Sequence, residues 1–281
     1  MASILDLLDG ARQKCRGGLG ERIWMSYFLT GLRPFLALAL VLGALPSKAG
    51  IFYRDDRESL QPKMGEPLAR VGVLSHPDRD GRGTAFLVGR CHILTNFHVA
   101  QGEAPSHFTL LSETPVEAVI VAAGRYNPQA RVGANEEDWA LMKLSVCLGE
   151  AYGWFELETL THENVMNENL VLAGYPGDRM TDSLTLDPQC LVHPETIPNR
   201  GGWRHDCASR AGSSGGPLLA KRGNDYRVVA LNVTERARFD EVVKYYHVNF
   251  SNGAIPVSVF SKRVQAALKA HSRAEVLNES R

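Results

Sequence analysis

The sequence predicts an all-β protein with one helix at its C-terminal end, and three observations carry that prediction. From Arg70 onward the chain breaks into short apolar runs bounded by Gly, Pro, Asn and Asp, the pattern of many short strands. Its 26 Gly and 14 Pro suit a turn-rich chain. Phe260, Val264 and Leu268 recur every four residues with Lys and Arg between them, which marks one amphipathic helix over 258–270. Strand spacing alone fits either a barrel or a sandwich. With 281 residues, 44% hydrophobic and 22% charged, the chain can bury one large core or two modest ones.

The N-terminal 49 residues differ in kind. Arg16, Arg22 and Arg33 precede an apolar run, FLALALVLGAL at 35–45, and Ser47-Lys48-Ala49 follows with small residues. A basic region, a short apolar region and a small-residue cleavage point form an export signal, with cleavage near Ala49. The run is short for a membrane span. Ile23 to Leu45 is nevertheless broadly apolar apart from Arg33, so an uncleaved membrane anchor is the alternative, and Met25 is a candidate start. The expected location is therefore periplasmic or secreted, with membrane contact only through an uncleaved N-terminal segment.

Residues 50–67 are charged and Pro-bearing and read as a loosely held lead-in. A first series of strand-like runs follows: VGVL (71–74), GTAFLVG (83–89), HILTNF (92–97), HFTLL (107–111), VEAVIVAAG (116–124) and WALMKL (139–144). A second series comprises LVLAGYP (170–176), SLTLDPQCLV (183–192), PLLA (217–220), YRVVALNV (226–233) and YYHVNF (245–250). Leu148 to Asn169 carries few strand signals and joins the two series. No internal repeat or low-complexity segment interrupts them.

The charge balance, 31 basic against 31 acidic residues, argues against nucleic acid as a partner and against a disordered acidic tail. The sequence contains no CxxC and no HExxH, and nothing in it calls for a metal or another cofactor. Cys15 lies within the export signal. The other four cysteines, at 91, 147, 190 and 207, form an even set that suggests disulfides in an exported chain.

Three residues form a candidate catalytic set. RAGSSGGPLL at 210–219 is too apolar on its far side for a flexible linker; it reads as a tight turn entering a strand. Such a turn can aim the Gly212 and Ser214 amides inward and present a serine hydroxyl, from Ser213 or Ser214. His98 ends the run CHILTNFH, and Asp138 precedes WALMKL. A serine needs a base to take its proton, and histidine suits that work near neutral pH. A carboxylate on the far ring nitrogen fixes the tautomer and stabilises the imidazolium.

These motifs resemble those of the trypsin-like (chymotrypsin-fold) serine endopeptidases. TNFHV around His98 is similar to the family's TAAHC, DWALMKL at Asp138 to its D-[IL]-A-L-L-x-L, and GSSGGP at 212–217 to GDSGGP. The order His, Asp, Ser also matches, as do GTAFLVG before the His run and AGYPG at 173–177. The resemblance covers roughly residues 70–262. It implies two six-stranded antiparallel β-barrels, over 68–155 and 156–257, with the site between them. It also implies that His98, Asp138 and Ser214 are catalytic and that the turn Gly212-Ser213-Ser214 forms the oxyanion hole. A protein or peptide is the implied substrate, cleaved through an acyl-enzyme.

The departures are informative. Ser213 stands where the animal trypsin group has the Asp that binds a new N-terminus, which places the chain nearer the bacterial trypsin-like and glutamyl-endopeptidase-like branches. The resemblance puts Ala208 at the base of the primary specificity pocket beside Ser209, with Leu231, Asn232 and Val233 as its wall. Ala208 lacks the acid that selects Arg or Lys, and Asn232 replaces the His that selects Glu. A catalytically silent binding protein on the same scaffold is the alternative reading. An esterase is a further one; GSSGG fits G-x-S-x-G, but the order Ser, Asp, His is absent.

Cys190 and Cys207 flank a turn-rich excursion containing PETIPNRGG, whose arms are expected to return side by side in a disulfide. Cys91 and Cys147 then pair by elimination, both in the first half.

Overall fold

The computed structural model describes residues 50–111, 113–126, 134–179, 183–195, 202–234 and 242–279. The expected export signal lies outside these residues. Fifteen strands follow in chain order among them. β1 (Glu58–Leu60), β2 (Val71–His76), β3 (Arg79–Gly89), β4 (His92–Thr95), β5 (Ser106–Leu110), β6 (Val116–Ala123) and β7 (Ala140–Leu144) come first. Then come β8 (Glu156–Leu157), β9 (Leu170–Gly174), β10 (Leu184–Cys190), β11 (Val192–His193) and β12 (Trp203–His205). β13 (Pro217–Arg222), β14 (Asp225–Thr234) and β15 (Asn252–Pro256) complete the set before the helix Val257–Glu279.

Strands β2 to β7 close into a barrel in the order β2-β3-β4-β7-β6-β5, with every pairing antiparallel and β5 returning to β2. Closure leaves no strand edge unpaired. Alternate side chains fill the interior, among them Leu74, Leu87, Ile93, Phe108, Leu110 and Met142.

The second sheet corrects the expectation of a second closed six-stranded barrel. Its hydrogen-bonded path, β1-β10-β9-β13-β14-β15-β12-β11, is an open, curled half-barrel, with β8 added in parallel on β14. β10 and β11, which lie near opposite ends of this path, are two parts of one run separated at Leu191. The cause is local. The register shifts between Asp187 and Cys190, and the Leu191 amide donates to the Asp206 carboxylate at 2.7 Å instead of to a neighbouring strand.

Other differences from the sequence reading have similar causes. YYHVNF at 245–250 forms turns, not a strand; Phe250 N–H donates to the His247 carbonyl, Asn249 N–H to the His247 ring, and Tyr246 stacks flat on His193. The lead-in is firmly held. Its β1 pairs with β10, Ile51 and Phe52 are buried, and Ser209 N–H donates to the Gly50 carbonyl. The helix expected over 258–270 continues to Glu279, with Phe260 and Val264 buried against Trp139 and the core shared by the two sheets. Both disulfides, Cys91–Cys147 and Cys190–Cys207, are present.

Candidate active site

Asp138 ends a one-turn 3-10 helix (Ala134–Glu137) just before β7 and is 2% exposed. A buried carboxylate must be paired and hydrogen-bonded. It is: Oδ1 accepts the His98 backbone N–H at 2.8 Å, and Oδ2 lies 2.6 Å from His98 Nδ1. The Asn96 side-chain amide holds the Asp138 carbonyl at 2.8 Å. His98 sits on a one-turn helix, Phe97–Ala100, that leaves the end of β4. Pairing of β4 with β7 places the two residues together, because Thr95 is opposite Ala140. The ring is therefore fixed through Nδ1.

Ser214 stands in the turn before β13, on the second sheet. Ser214 and His98 line one cavity of about 230 Å³, with Ala211 and Gly212 beside them. Its neighbour Ser213 is 3% exposed, and its hydroxyl accepts the Arg210 N–H within the turn. Of the two serines, only Ser214 faces the cavity.

Amide directions in this turn follow from peptide planarity, since N–H and C=O of a trans peptide point opposite ways. The Ala211 carbonyl is held behind the turn by the Gly177 N–H at 2.6 Å, so the Gly212 N–H points forward. The Ser213 carbonyl accepts from Gly216 N–H at 2.9 Å and the Asn232 side chain at 3.0 Å, so the Ser214 N–H points forward too. The Gly212 carbonyl accepts from the Thr84 hydroxyl at 2.8 Å, and the Ser213 N–H turns back to Arg210 at 2.8 Å. Ser213 thus contributes its place in the turn but no inward amide. Gly212 has φ of +99°, and a Cβ there would meet the Tyr175 carbonyl at 2.6 Å. Gly215 has φ of +83°, and a Cβ would run into Thr84 and Thr95.

The expected specificity residues are placed differently from the triad candidates. Ala208, Ser209, Leu231, Asn232 and Val233 are all buried, and none lines the cavity shared by His98 and Ser214. Leu231 packs in the core. Asn232 is a tether, donating to Ser209 Oγ at 3.1 Å as well as to the Ser213 carbonyl. Ala208 lines a separate cavity of about 300 Å³ with Tyr53, Asp187, Leu191 and Asp206.

Several supporting residues escaped the sequence reading. Asp187 accepts the Ala208 and Gln189 amides, yet burial raises its carboxyl to about 7 against those bonds. His205, fully buried against Asn232 and the Gly253 backbone but in no well-formed hydrogen bond, is pushed down to about 4 by desolvation. Arg57, 7% exposed, binds Asp55 and Asp178 in paired hydrogen bonds of 2.7–3.0 Å. Burial works against its charge, and the two carboxylates more than restore it. Asp178 follows Gly177 and also faces Arg210 at 3.8 Å. The lead-in is thereby tied to the loop that orients the Gly212 amide. On the other side, Arg263 of the C-terminal helix holds Glu137 at 2.9 Å through both oxygens and lies over the Trp139 ring, bracketing Asp138.

Comparison with known proteins gives a consistent picture. Residues 83–231 match the family model of the trypsin-like peptidase domain. A sequence search of curated proteins returned no match. Among solved structures, a Glu endopeptidase in complex with MPD superposes with a TM-score of 0.59 at 17% identity, covering 77% of this chain and 98% of that one. The HtrA-type protease AlgW with a tripeptide gives 0.54 at 15% identity, covering 74% of this chain and 62% of its own. A serine endoprotease from Yersinia pestis gives 0.51 at 17% identity, with 73% and 65% covered. At these identities the superpositions speak to the fold alone.

Proposed function

The chain belongs to the trypsin-like peptidase family and is a serine-type endopeptidase, and we propose that it cleaves peptide bonds through Ser214, His98 and Asp138. Ser214 Oγ attacks the scissile carbonyl while His98 Nε2 takes its proton. Negative charge moves onto the carbonyl oxygen, where the Gly212 and Ser214 amides receive it. Asp138 stabilises the imidazolium and holds its tautomer. His98 then returns the proton to the departing amine, leaving an acyl-enzyme on Ser214. Water, deprotonated by His98, attacks the acyl carbonyl, and the acid leaves with Ser214 Oγ reprotonated.

The observation that carries this reading is His98, doubly anchored by Asp138, lining one cavity with a serine whose turn directs two amides forward. Export is part of the proposal. Residues 1–49 act as its signal, and the two disulfides suit an oxidising compartment such as the periplasm or the cell exterior. No helix among the described residues is long and apolar enough to cross a membrane. The substrate is an extended protein or peptide segment.

Two assays of the full chain test the mechanism. An activated ester should give a burst of leaving group equal to the enzyme present, and a denatured protein should be cut at internal bonds. Ester turnover without a burst would remove the acyl-enzyme.

A further inference from the structure

We propose that Arg82 recognises a carboxylate on the leaving-group side of the scissile bond, so that the enzyme favours peptides with Asp or Glu just after the point of cleavage. This rests on Ser214 and His98 acting as described above.

The cavity at Ser214 has a lopsided lining. One wall is the β2–β3 hairpin, through Leu74, His76, Asp80 and Arg82, and its floor is His98 and Val99. No residue of β14 reaches it. Because His98 must hand its proton to the departing amine, the leaving segment runs over the His98 side of Ser214, into this cavity. The hairpin is pressed close there. Thr84 N–H donates to the Ser214 carbonyl at 2.9 Å, and a Cβ on Gly83 would collide with Val99. Arg82 is thus held at the rim, two residues from the contact that fixes the nucleophile.

Its guanidinium forms no ion pair with the described residues around it. Arg82 Nε is shielded from solvent and meets no acceptor among the described residues. Asp80 shares the lining and is exposed, but forms no ion pair with it. Asp78 is engaged elsewhere, by the Glu103 and Ala104 amides and by His76 Nδ1 at 4.0 Å. His76 is itself committed to the Val99 carbonyl at 2.8 Å. No carboxylate among the described residues pairs with Arg82, which lines the cavity, and a planar carboxylate fits the terminal nitrogens of its guanidinium in a bidentate pair. A substrate carboxylate entering the cavity supplies that partner.

Matched quenched peptides test this. They share every residue before the cleaved bond, carry Glu or Gln at the first or second position after it, and end in an amide. For the wild-type chain, kcat/KM should favour Glu over Gln on the order of 10-fold, falling with added salt. Arg82→Gln should bring the ratio to about one, chiefly by loss on the Glu peptide. Arg82→Glu should favour Lys at the same position. A third peptide, with Gln throughout and a free terminal carboxylate, separates a side-chain reader from a chain-end reader. Preference for that peptide alone overturns the proposal, as does a wild-type ratio near one or an equal loss of both peptides in Arg82→Gln. Failure to cleave any peptide, with Ser214 inert to fluorophosphonate, overturns the reading of the whole site instead.

Discussion

The two β-structures solve the problem of holding a reactive group in different ways. The first barrel is hydrogen-bonded all the way round, with an apolar interior. It holds His98 and Asp138 by backbone and carboxylate contacts made within a single ladder neighbourhood. The second sheet is interrupted at Leu191, and polar groups take over where strand pairing stops: Asp187, Asp206, Asn232 and Asn252 bond to backbone amides or carbonyls around the gap. The oxyanion turn hangs on that polar framework and on the lead-in through Arg57 and Asp178. On the proposed mechanism, acid–base geometry comes from a closed ladder, while the hydroxyl and amides depend on side-chain ties that can be cut one at a time.

Cutting the first barrel's contribution should have the largest effect. His98→Ala should lower kcat/KM on the order of 10⁵–10⁶-fold, and Asp138→Asn about 10⁴-fold through the wrong tautomer, with folding intact. Steady-state kinetics beside near-UV circular dichroism checks both; an active Asp138→Asn would separate the closed ladder from the chemistry. Arg57→Met tests the second sheet's dependence on a remote tie. It should lower kcat on the order of 10-fold with KM nearly unchanged, and weaken a peptide boronate in proportion, because the Gly212 amide loses its aim. Arg57→Lys should restore part of both, and a change in stability alone would show the tie to be structural only.

The disulfides sharpen the contrast. Cys91–Cys147 spans 56 residues and Cys190–Cys207 spans 17. Loop entropy then assigns about 4 and about 3 kcal/mol of stability respectively. Activity should rank them the other way, since Cys190–Cys207 fixes the segment that runs from β12 to the turn at Gly212–Ser214. Urea titrations and turnover of the two Cys→Ala pairs compare them.

The last effect concerns pH and bears on stability alone. Asp187 is raised from 3.8 to about 7 in the folded chain, chiefly by burial. The native state keeps a proton that the unfolded chain releases, so stability is greatest below the unfolded value and is lost as pH rises toward about 7. Asp187→Asn should remove that slope from urea midpoints measured between those limits; an unchanged slope would assign it to another group.

The legibility of the molecule follows the same division. The first barrel's strands are apolar runs bounded by clear turn residues, so they showed in the sequence, and His98 and Asp138 stood at their ends. The choice of Ser214 over Ser213 came from resemblance, and burial of Ser213 supports it. The second sheet was harder to read. Trp203–His205 and Asn252–Pro256 are short and polar or Gly-bearing strands that form because neighbours offer edges, a tertiary effect with no local signal. YYHVNF carries β-forming residues, but ring stacking and turn bonds of His247 take them elsewhere. Arg57 and Asp178 lie 121 residues apart, and nothing in composition or spacing joins them.

The central claim is that a base from the closed barrel activates one particular serine on the open sheet. Fluorophosphonate labelling of the full chain, followed by peptide mapping of the modified residue, tests it most directly. The account predicts a single adduct on Ser214, normal labelling of Ser213→Ala, and none in Ser214→Ala or His98→Ala. An adduct on Ser213, or undiminished labelling of Ser214→Ala, would contradict it.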